Sequence, residues 1–350
     1  MLPLIAELER EAARLLPADA YAYFASGSGD ETTLGESVQA WETLRLRPRV
    51  LRDVAEVDLS VEVAGTRLSS PVLVAPMAFQ VLAHPDGELA TLVGAAAANS
   101  ATVISTRCTV PLEEIGATAT APWWFQAYVL GDRSLSLALV ERAAAAGARA
   151  VVLTGDTPVV AHKRRAPGAP PVSDAQFLTN LAMHLDAGAP AAALVQDPSV
   201  TLDAIGRLAQ ASGLPVLVKG VLRADDALEC VRAGASGVVV SAHGGRQLDR
   251  VIPVPLALAE VAEAVAGSVP VLVDGGLRDG RSVLSALALG ASAVMIGRPV
   301  LWALTCGGSA GVAQLLSLLT EDLLEAMRLS GVCRPGQLDR SFVAAPPAWR

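Results

Sequence analysis

Charge is scarce in this chain. Of 350 residues 18% are charged, the formal net charge is −8, and the longest basic cluster is the short His162-Lys163-Arg164-Arg165. A nucleic-acid footprint needs a basic face or stripe, so nucleic acid is excluded as a partner and small molecules are expected. Cysteine is scarce too. Cys108, Cys230, Cys306 and Cys333 lie far apart with no Cys-x-x-Cys pair, which reads as reduced structural thiols in a cytoplasmic protein. His84, His162 and His184 lack metal-ligand spacing and no His-Glu-x-x-His occurs, so no metal is expected. No Gly-x-Gly-x-x-Gly opens a helix after a first strand, which argues against a dinucleotide site. Gly27-Ser28-Gly29 reads as a turn. The first 16 residues carry Glu7, Glu9, Arg10, Glu11 and Arg14 in place of the apolar block of a secretory signal. Residues 299–320 are uncharged, but Gly307-Gly308-Ser309-Ala310-Gly311, Gln314 and Ser317 interrupt them. Two short buried helices are expected there, and no membrane partner.

Apolar residues, by contrast, make up 52% of the chain, and 30 glycines and 22 prolines are spread along it. That suffices for one barrel-sized core or two smaller ones. Short apolar runs recur at 72–75, 102–105, 123–126, 150–154, 216–219, 237–241, 271–274 and 293–296. They are of strand length and lack polar alternation, as parallel strands covered on both faces do. Helical periods fill 88–99, 135–146, 224–233, 255–266 and 281–289, followed by capping glycines at 147, 234, 267 and 290. The phrases AGARAVVLT, AGASGVVVS and LGASAVMIG repeat one pattern of cap, turn and buried strand. Eight such units predict a single α/β domain over 1–350, a (β/α)₈ TIM barrel. Residues 1–60 read as an N-terminal helical segment, 61–67 as a hairpin, and 160–200 as a long, variable and mobile loop after strand 4.

In such barrels the chemistry sits at the C-terminal strand ends. Those ends here carry Ser105, Gln126 with Tyr128, Thr154 with Asp156, Lys219, Ser241 with His243, Asp274, and Gly297 with Arg298. Lys219 emerges from an apolar strand and needs either an acid such as Asp274 or a ligand, because an unpaired buried ammonium is costly. A cation there would also stabilise an electron-accepting ring. His243, between two strand-end residues and two glycines, with Arg246 three residues on, has the makings of a base beside a carboxylate clamp. Asp156 could hold its second ring nitrogen. The glycine–arginine pairs of Asp274-Gly275-Gly276-Leu277-Arg278 and Gly297-Arg298 fall where barrels bind phosphate.

With these residues placed, the chain resembles the FMN-dependent 2-hydroxy acid oxidase and dehydrogenase family, which includes glycolate oxidase, lactate oxidase and mandelate dehydrogenase. The resemblance covers about Tyr21 to Gly331, and within it the matching phrases fall in family order: YFASGSGDETTL, LRPRVLRDV, APMAFQVLAHPDGELA, WFQAYV, LTGDTP, VKGVL, HGGRQLD, DGGLRDG and ALALGASAVMIGRP. The AHPDGE phrase and compact loop are most similar to bacterial hydroxymandelate-type oxidases. The resemblance implies FMN as cofactor and oxidation of an (S)-2-hydroxy acid to the 2-oxo acid, with dioxygen reoxidising the flavin to give hydrogen peroxide. It further implies a homotetramer. By the same resemblance His243 is the base, Asp156 its partner, and Arg246 the carboxylate clamp, helped by Tyr23 and Tyr128. Ala75, Pro76, Met77 and Ala78 would lie against the flavin; Ser105, Gln126 and Thr154 would bond its ring, with Lys219 at the N1/O2 edge and Ser241 nearby. Asp274, Gly276, Arg278, Gly297 and Arg298 would meet the ribityl chain and phosphate.

The chain departs from the family at four places. The Asp-x-Arg-Asn pattern usual in the loop after the fourth strand is absent. Ala242 stands where an asparagine is usual, Met77 where a threonine is. The second carboxylate-binding arginine aligns with Lys163, unless a slip brings Arg164 there. An FMN enzyme of specialised biosynthesis, acting on a carrier-bound or peptide-derived hydroxy acid, and a non-catalytic flavoprotein are the alternatives. Phe79, Trp123, Trp124 and Met77 could shape an apolar substrate pocket or belong to the core.

Overall fold

Eight parallel strands close into a barrel in the order in which they occur along the chain. A computed structural model describes residues 2–166, 168–184 and 191–344. The strands are β1 (Val72–Val74), β2 (Ala101–Ser105), β3 (Trp123–Ala127), β4 (Val151–Thr154), β5 (Val216–Val221), β6 (Gly237–Val240), β7 (Val271–Asp274) and β8 (Ala293–Ile296). Each coincides with an expected run to within two residues at either end. Strand geometry sends alternate side chains to opposite faces, and both faces here are dry. Leu73, Val103, Trp124, Val152, Leu217, Val239, Leu272 and Met295 fill the barrel interior. Val72, Val74, Ile104, Phe125 and Val151 point outward into the layer beneath the helices.

The hairpin Val61–Val63/Thr66–Leu68 plugs the end of the barrel where the strands begin. Its Val63 and Leu68 join the interior cluster, and the Trp124 indole, near the start of β3, donates to Thr66 Oγ1 at 3.1 Å. Trp123 and Trp124 are 2% and 0% exposed, so they belong to the core and not to a substrate pocket.

The helices fill the predicted intervals, Gly87–Ala97, Arg133–Ala145, Ala224–Arg232, Val254–Val265 and Gly280–Ala288. Gly147, Gly234 and Gly290 follow three of them with positive φ. At the fourth cap Ala266 itself turns left-handed ahead of Gly267. The uncharged run lies in Arg298–Leu329, which Gly307 and Gly308 break into two helices. That helix is long and apolar enough to cross a membrane by length and composition, but it is broken and packs against Pro3–Leu15 and Gly87–Ala97.

Two segments overlie the opposite end of the barrel. The N-terminal helices α1 (Pro3–Leu15), α2 (Ala18–Ala25) and α3 (Thr32–Glu42) bring the last carbonyls of α2 over the strand ends. The Gly27-Ser28-Gly29 turn is present, and it is also a latch: the Ser28 N–H donates to the Gly245 carbonyl at 2.9 Å. The expected loop after β4 has structure of its own. Ser173 and Gln176 cap a helical turn, Asp174–Phe177. Asn180 is buried, donating to the Val110 carbonyl and accepting from the Leu112 N–H, and Gln196 bridges to Leu130. Its residues 167 and 185–190 lie outside the described part.

Candidate active site

The strand ends open on one cavity of about 540 Å³, within the range of small-molecule sites. Around it β2, β3 and β4 present a continuous polar rail. Register sets Ser105 beside Gln126 and Thr154 beside Lys219. Ser105 Oγ donates to Gln126 Oε1 at 3.1 Å, and Gln126 Nε2 donates to Thr154 Oγ1 at 3.0 Å. Beside β2 in the barrel, Ala75, Pro76, Met77 and Ala78 line the cavity after β1.

Lys219 fulfils both of its sequence readings. Its side chain is 5% exposed and pairs with Asp274 Oδ2 at 2.9 Å, and it also lines the cavity. Burial opposes its charge, but Asp274 and Asp156 outweigh that and raise its pKa above the ordinary lysine value. It donates to Ser241 Oγ at 2.8 Å, and the same oxygen accepts the His243 N–H at 3.0 Å. Ser241 therefore ties the lysine to the histidine loop from behind the cavity wall.

His243 sits in that loop with a positive φ of 53°, a strained conformation for a bulky residue and characteristic of functional sites. The two glycines that follow let the loop press on α3, since a Cβ on Gly245 would lie 2.7 Å from the Leu34 nitrogen. His243 Nδ1 is 2.8 Å from Asp156 Oδ1. With Nδ1–H donating to the carboxylate, the tautomer assigned by this network leaves the lone pair on Nε2. Burial works to raise the Asp156 carboxyl, but His243, Lys219 and Thr157 outweigh it and hold it below the ordinary range. Gln247, 8% exposed, straps the loops after β4 and β6 together, donating to the Asp156 and Val159 carbonyls at 3.2 and 3.1 Å. This strap and the Ser241 contact order the loop in which Ala242 replaces the usual amide.

Three arginines gather at the rim. Arg298 donates to the carbonyls of Phe24 (3.0 Å) and Gly244 (2.8 Å), and Arg246 to those of Tyr23 (2.7 Å) and Ser26 (2.9 Å). The C-terminal carbonyls of α2 thus fix both side chains, as helix C-termini favour cations. None of the ion pairs among the described residues includes Arg246, Arg278 or Arg298. Burial, then Arg246 and Arg278, drive the Arg298 guanidinium down to about 9. Arginine keeps its proton, so this cluster demands an anion.

A family model described as FMN-dependent dehydrogenase matches residues 12–345. The chain belongs to the FMN-dependent dehydrogenase family. It is 44% identical to the L-lactate oxidase of Nostoc sp. over 352 residues, covering 96% of each chain. To the 4-hydroxymandelate oxidase of Amycolatopsis orientalis it is 43% identical over 341 residues, 93% of this chain and 94% of the other. A crystal structure of mandelate oxidase with (S)-4-hydroxymandelic acid superposes with a TM-score of 0.88, at 40% identity, covering 97% of this chain and 98% of that one.

FMN is the cofactor of this dehydrogenase, and the residues present fit it. Arg278 and Arg298 supply the counter-charge for a phosphate, next to Gly297, where a Cβ would meet nothing closer than Ala75 at 3.8 Å. Asp274 Oδ1 is buried without a partner, open to a hydroxyl donor such as a ribityl group. The rail of β2, β3 and β4 and the Lys219 ammonium offer the polar contacts a flavin ring takes.

Of the residues given a catalytic or cofactor-binding role in the sequence, only Asp156 and Ser241 do not line the cavity, and each bonds a residue that does. Of the two candidates after β4, Lys163 is the one turned toward the site. It lines the cavity, whereas Arg164 is exposed and paired with Asp30. Burial, then Arg246, lowers the Lys163 ammonium to about 8. Burial raises the Tyr23 and Tyr128 phenols, which stay protonated donors. Three contributors escaped the sequence reading: Gln247, Thr157 and Arg107. Arg107 lies two residues beyond the end of β2, and extending the strand-end test by one turn would have found it.

Proposed function

We propose that the protein oxidises an (S)-2-hydroxy acid to the 2-oxo acid, with dioxygen taking the electrons from the reduced flavin to give hydrogen peroxide. The observation that carries this reading is the His243–Asp156 pair set beside Arg246 on the FMN cavity. The substrate carboxylate docks on Arg246, whose Nη1 alone is engaged by α2 carbonyls, and on Lys163. Tyr23 and Tyr128 donate to the bound acid through their hydroxyls. His243 Nε2 accepts one proton from the substrate, and Asp156 stabilises the resulting imidazolium across the 2.8 Å bond. FMN, when bound, supplies the two-electron acceptor. The α2–α3 segment and the loop after β4 cover the strand ends and keep water from the base. The relatives that act on lactate and hydroxymandelate support this reaction class.

The reading extends to a cytoplasmic homotetramer. Four free thiols suit a reducing compartment, and the family resemblance supports the tetramer, which light scattering on the purified protein tests. For the reaction, the holoprotein is mixed anaerobically with aliphatic and aromatic 2-hydroxy acids. Flavin bleaching, with stoichiometric peroxide once air is admitted, is the expected result. His243→Ala should stay yellow and lose turnover; a variant that turns over normally removes the assignment of the base.

A further inference from the structure

The carboxylate clamp, the base and the FMN contacts leave one cation of the cavity unused. Arg107 is 7% exposed and lines the same cavity. The Phe177 ring lies against its guanidinium, 4.3 Å from Cζ to centroid, and Nη2 donates to the Leu194 carbonyl. Nη1 is buried with no hydrogen-bond partner among the described residues. No ion pair among the described residues includes it. Burial lowers its pKa to about 10.

Its place relative to Arg246 gives the clue. The Arg246 guanidinium sits 5.1 Å from the Tyr23 ring centroid, Tyr23 is 6.1 Å from Phe79, and Phe79 stacks on Phe177 at 5.9 Å. Arg107 lies against the Phe177 ring, and it and Arg246 both act on the phenols of Tyr23 and Tyr128. A three-ring wall thus runs between two guanidinium groups. The charges of the cavity point the same way. Its lining cations are Arg107, Lys163, Lys219, Arg246, Arg278 and Arg298, and its one lining acid is Asp274, with Asp156 behind His243. A phosphate carrying about two negative charges and one substrate carboxylate leave positive charge over.

We infer that Arg107 is a specificity-determining residue that receives a second acidic group, so that the preferred substrates are 2-hydroxy dicarboxylic acids. The inference rests on the 2-hydroxy acid oxidation proposed above. One carboxylate takes Arg246, the distal carboxylate pairs with Arg107, and the short carbon chain passes the rings between them. A neutral acid of equal length leaves that guanidinium without a counter-ion, and a site built for a charged hydrogen bond discriminates against a ligand lacking it.

The test uses the FMN-loaded full chain and pairs of equal chain length: 2-hydroxyglutarate against 2-hydroxyvalerate, and malate against 2-hydroxybutyrate. The diacid of each pair should show at least about tenfold higher kcat/KM. Arg107→Met should remove that advantage while moving the monoacid by less than about threefold. A measurement without turnover or mutation runs beside it: glutarate should perturb the flavin spectrum of the wild-type protein at lower concentration than valerate. Equal binding of glutarate and valerate overturns the inference, as does equal turnover of diacid and monoacid. Equal loss of both substrates in Arg107→Met does so too, since it makes Arg107 a loop clamp or part of the first carboxylate site. If monoacids bleach the flavin and diacids hold no advantage, only this inference falls; if no 2-hydroxy acid of any kind bleaches it, the parent reading falls as well.

Discussion

Asp156 and His243 stand 87 positions apart in the chain and 2.8 Å apart in the fold. That bond joins the end of β4 to the loop after β6 and decides which ring nitrogen faces the chemistry. Asp156→Asn keeps the shape but offers the ring an amide in place of a carboxylate. We expect kcat to fall by about 10²–10⁴-fold, with FMN content and visible spectrum intact. Stopped-flow flavin reduction measures this directly, and an unchanged reduction rate would show that the aspartate only fills space.

Lys163 should give the reaction an alkaline pH dependence. Its ammonium is lowered to about 8, by burial first and Arg246 second, so it loses its charge as pH rises through that value. KM for a 2-hydroxy acid should then climb above pH 8, approaching about tenfold per pH unit. Lys163→Arg keeps its charge and should flatten the profile. Parallel profiles for the two proteins would remove Lys163 from the carboxylate site.

No carboxylate among the described residues pairs with Arg298 or Arg278, so the flavin-free protein should be stabilised by inorganic phosphate. A thermal shift with phosphate, and a smaller one for Arg298→Ala, is expected. The same variant should bind FMN about 10–10²-fold more weakly, read by quenching of flavin fluorescence. Equal phosphate shifts in both proteins would place the anion elsewhere.

The Lys219–Asp274 pair is buried at 2.9 Å. Lys219→Met strands Asp274 and should cost about 3–5 kcal/mol, part of which Lys219→Met with Asp274→Asn recovers. Because the folded-state pKa of Lys219 is raised, its contribution is complete below the ordinary lysine value. It is lost only as pH climbs through the raised one. Thermal unfolding of the flavin-free proteins across alkaline pH follows both effects.

Gly94 sets the spacing of two outer helices. A Cβ there would stand 2.4 Å from the Ser309 carbonyl and 2.7 Å from Val312 Cβ. Gly94→Ala should therefore destabilise by overpacking, about 1–3 kcal/mol, with kinetic constants unmoved. A variant as stable as the parent would mean that the break at Gly307 and Gly308 absorbs the shift.

Local chemistry made the barrel legible. Strands buried on both faces leave unbroken apolar runs such as 271–274 and 293–296, and helices followed by Gly147, Gly234 and Gly290 announce their ends. The polar residue closing most runs marked the rim, so Ser105, Gln126, Thr154, Lys219 and Asp274 could be assigned to one site before any coordinates. The sequence by itself therefore determined the fold, the end of it that does chemistry, and most of the residues placed there. Only the tertiary structure could decide between Lys163 and Arg164, because one turn of a glycine- and proline-rich loop swings either inward. Packing distance likewise sent Trp123 and Trp124 to the core, while Phe177 came from the loop after β4 to lie against Arg107. Partners separated by scores of residues leave no local pattern in the chain; the closing of the barrel alone brings them within reach.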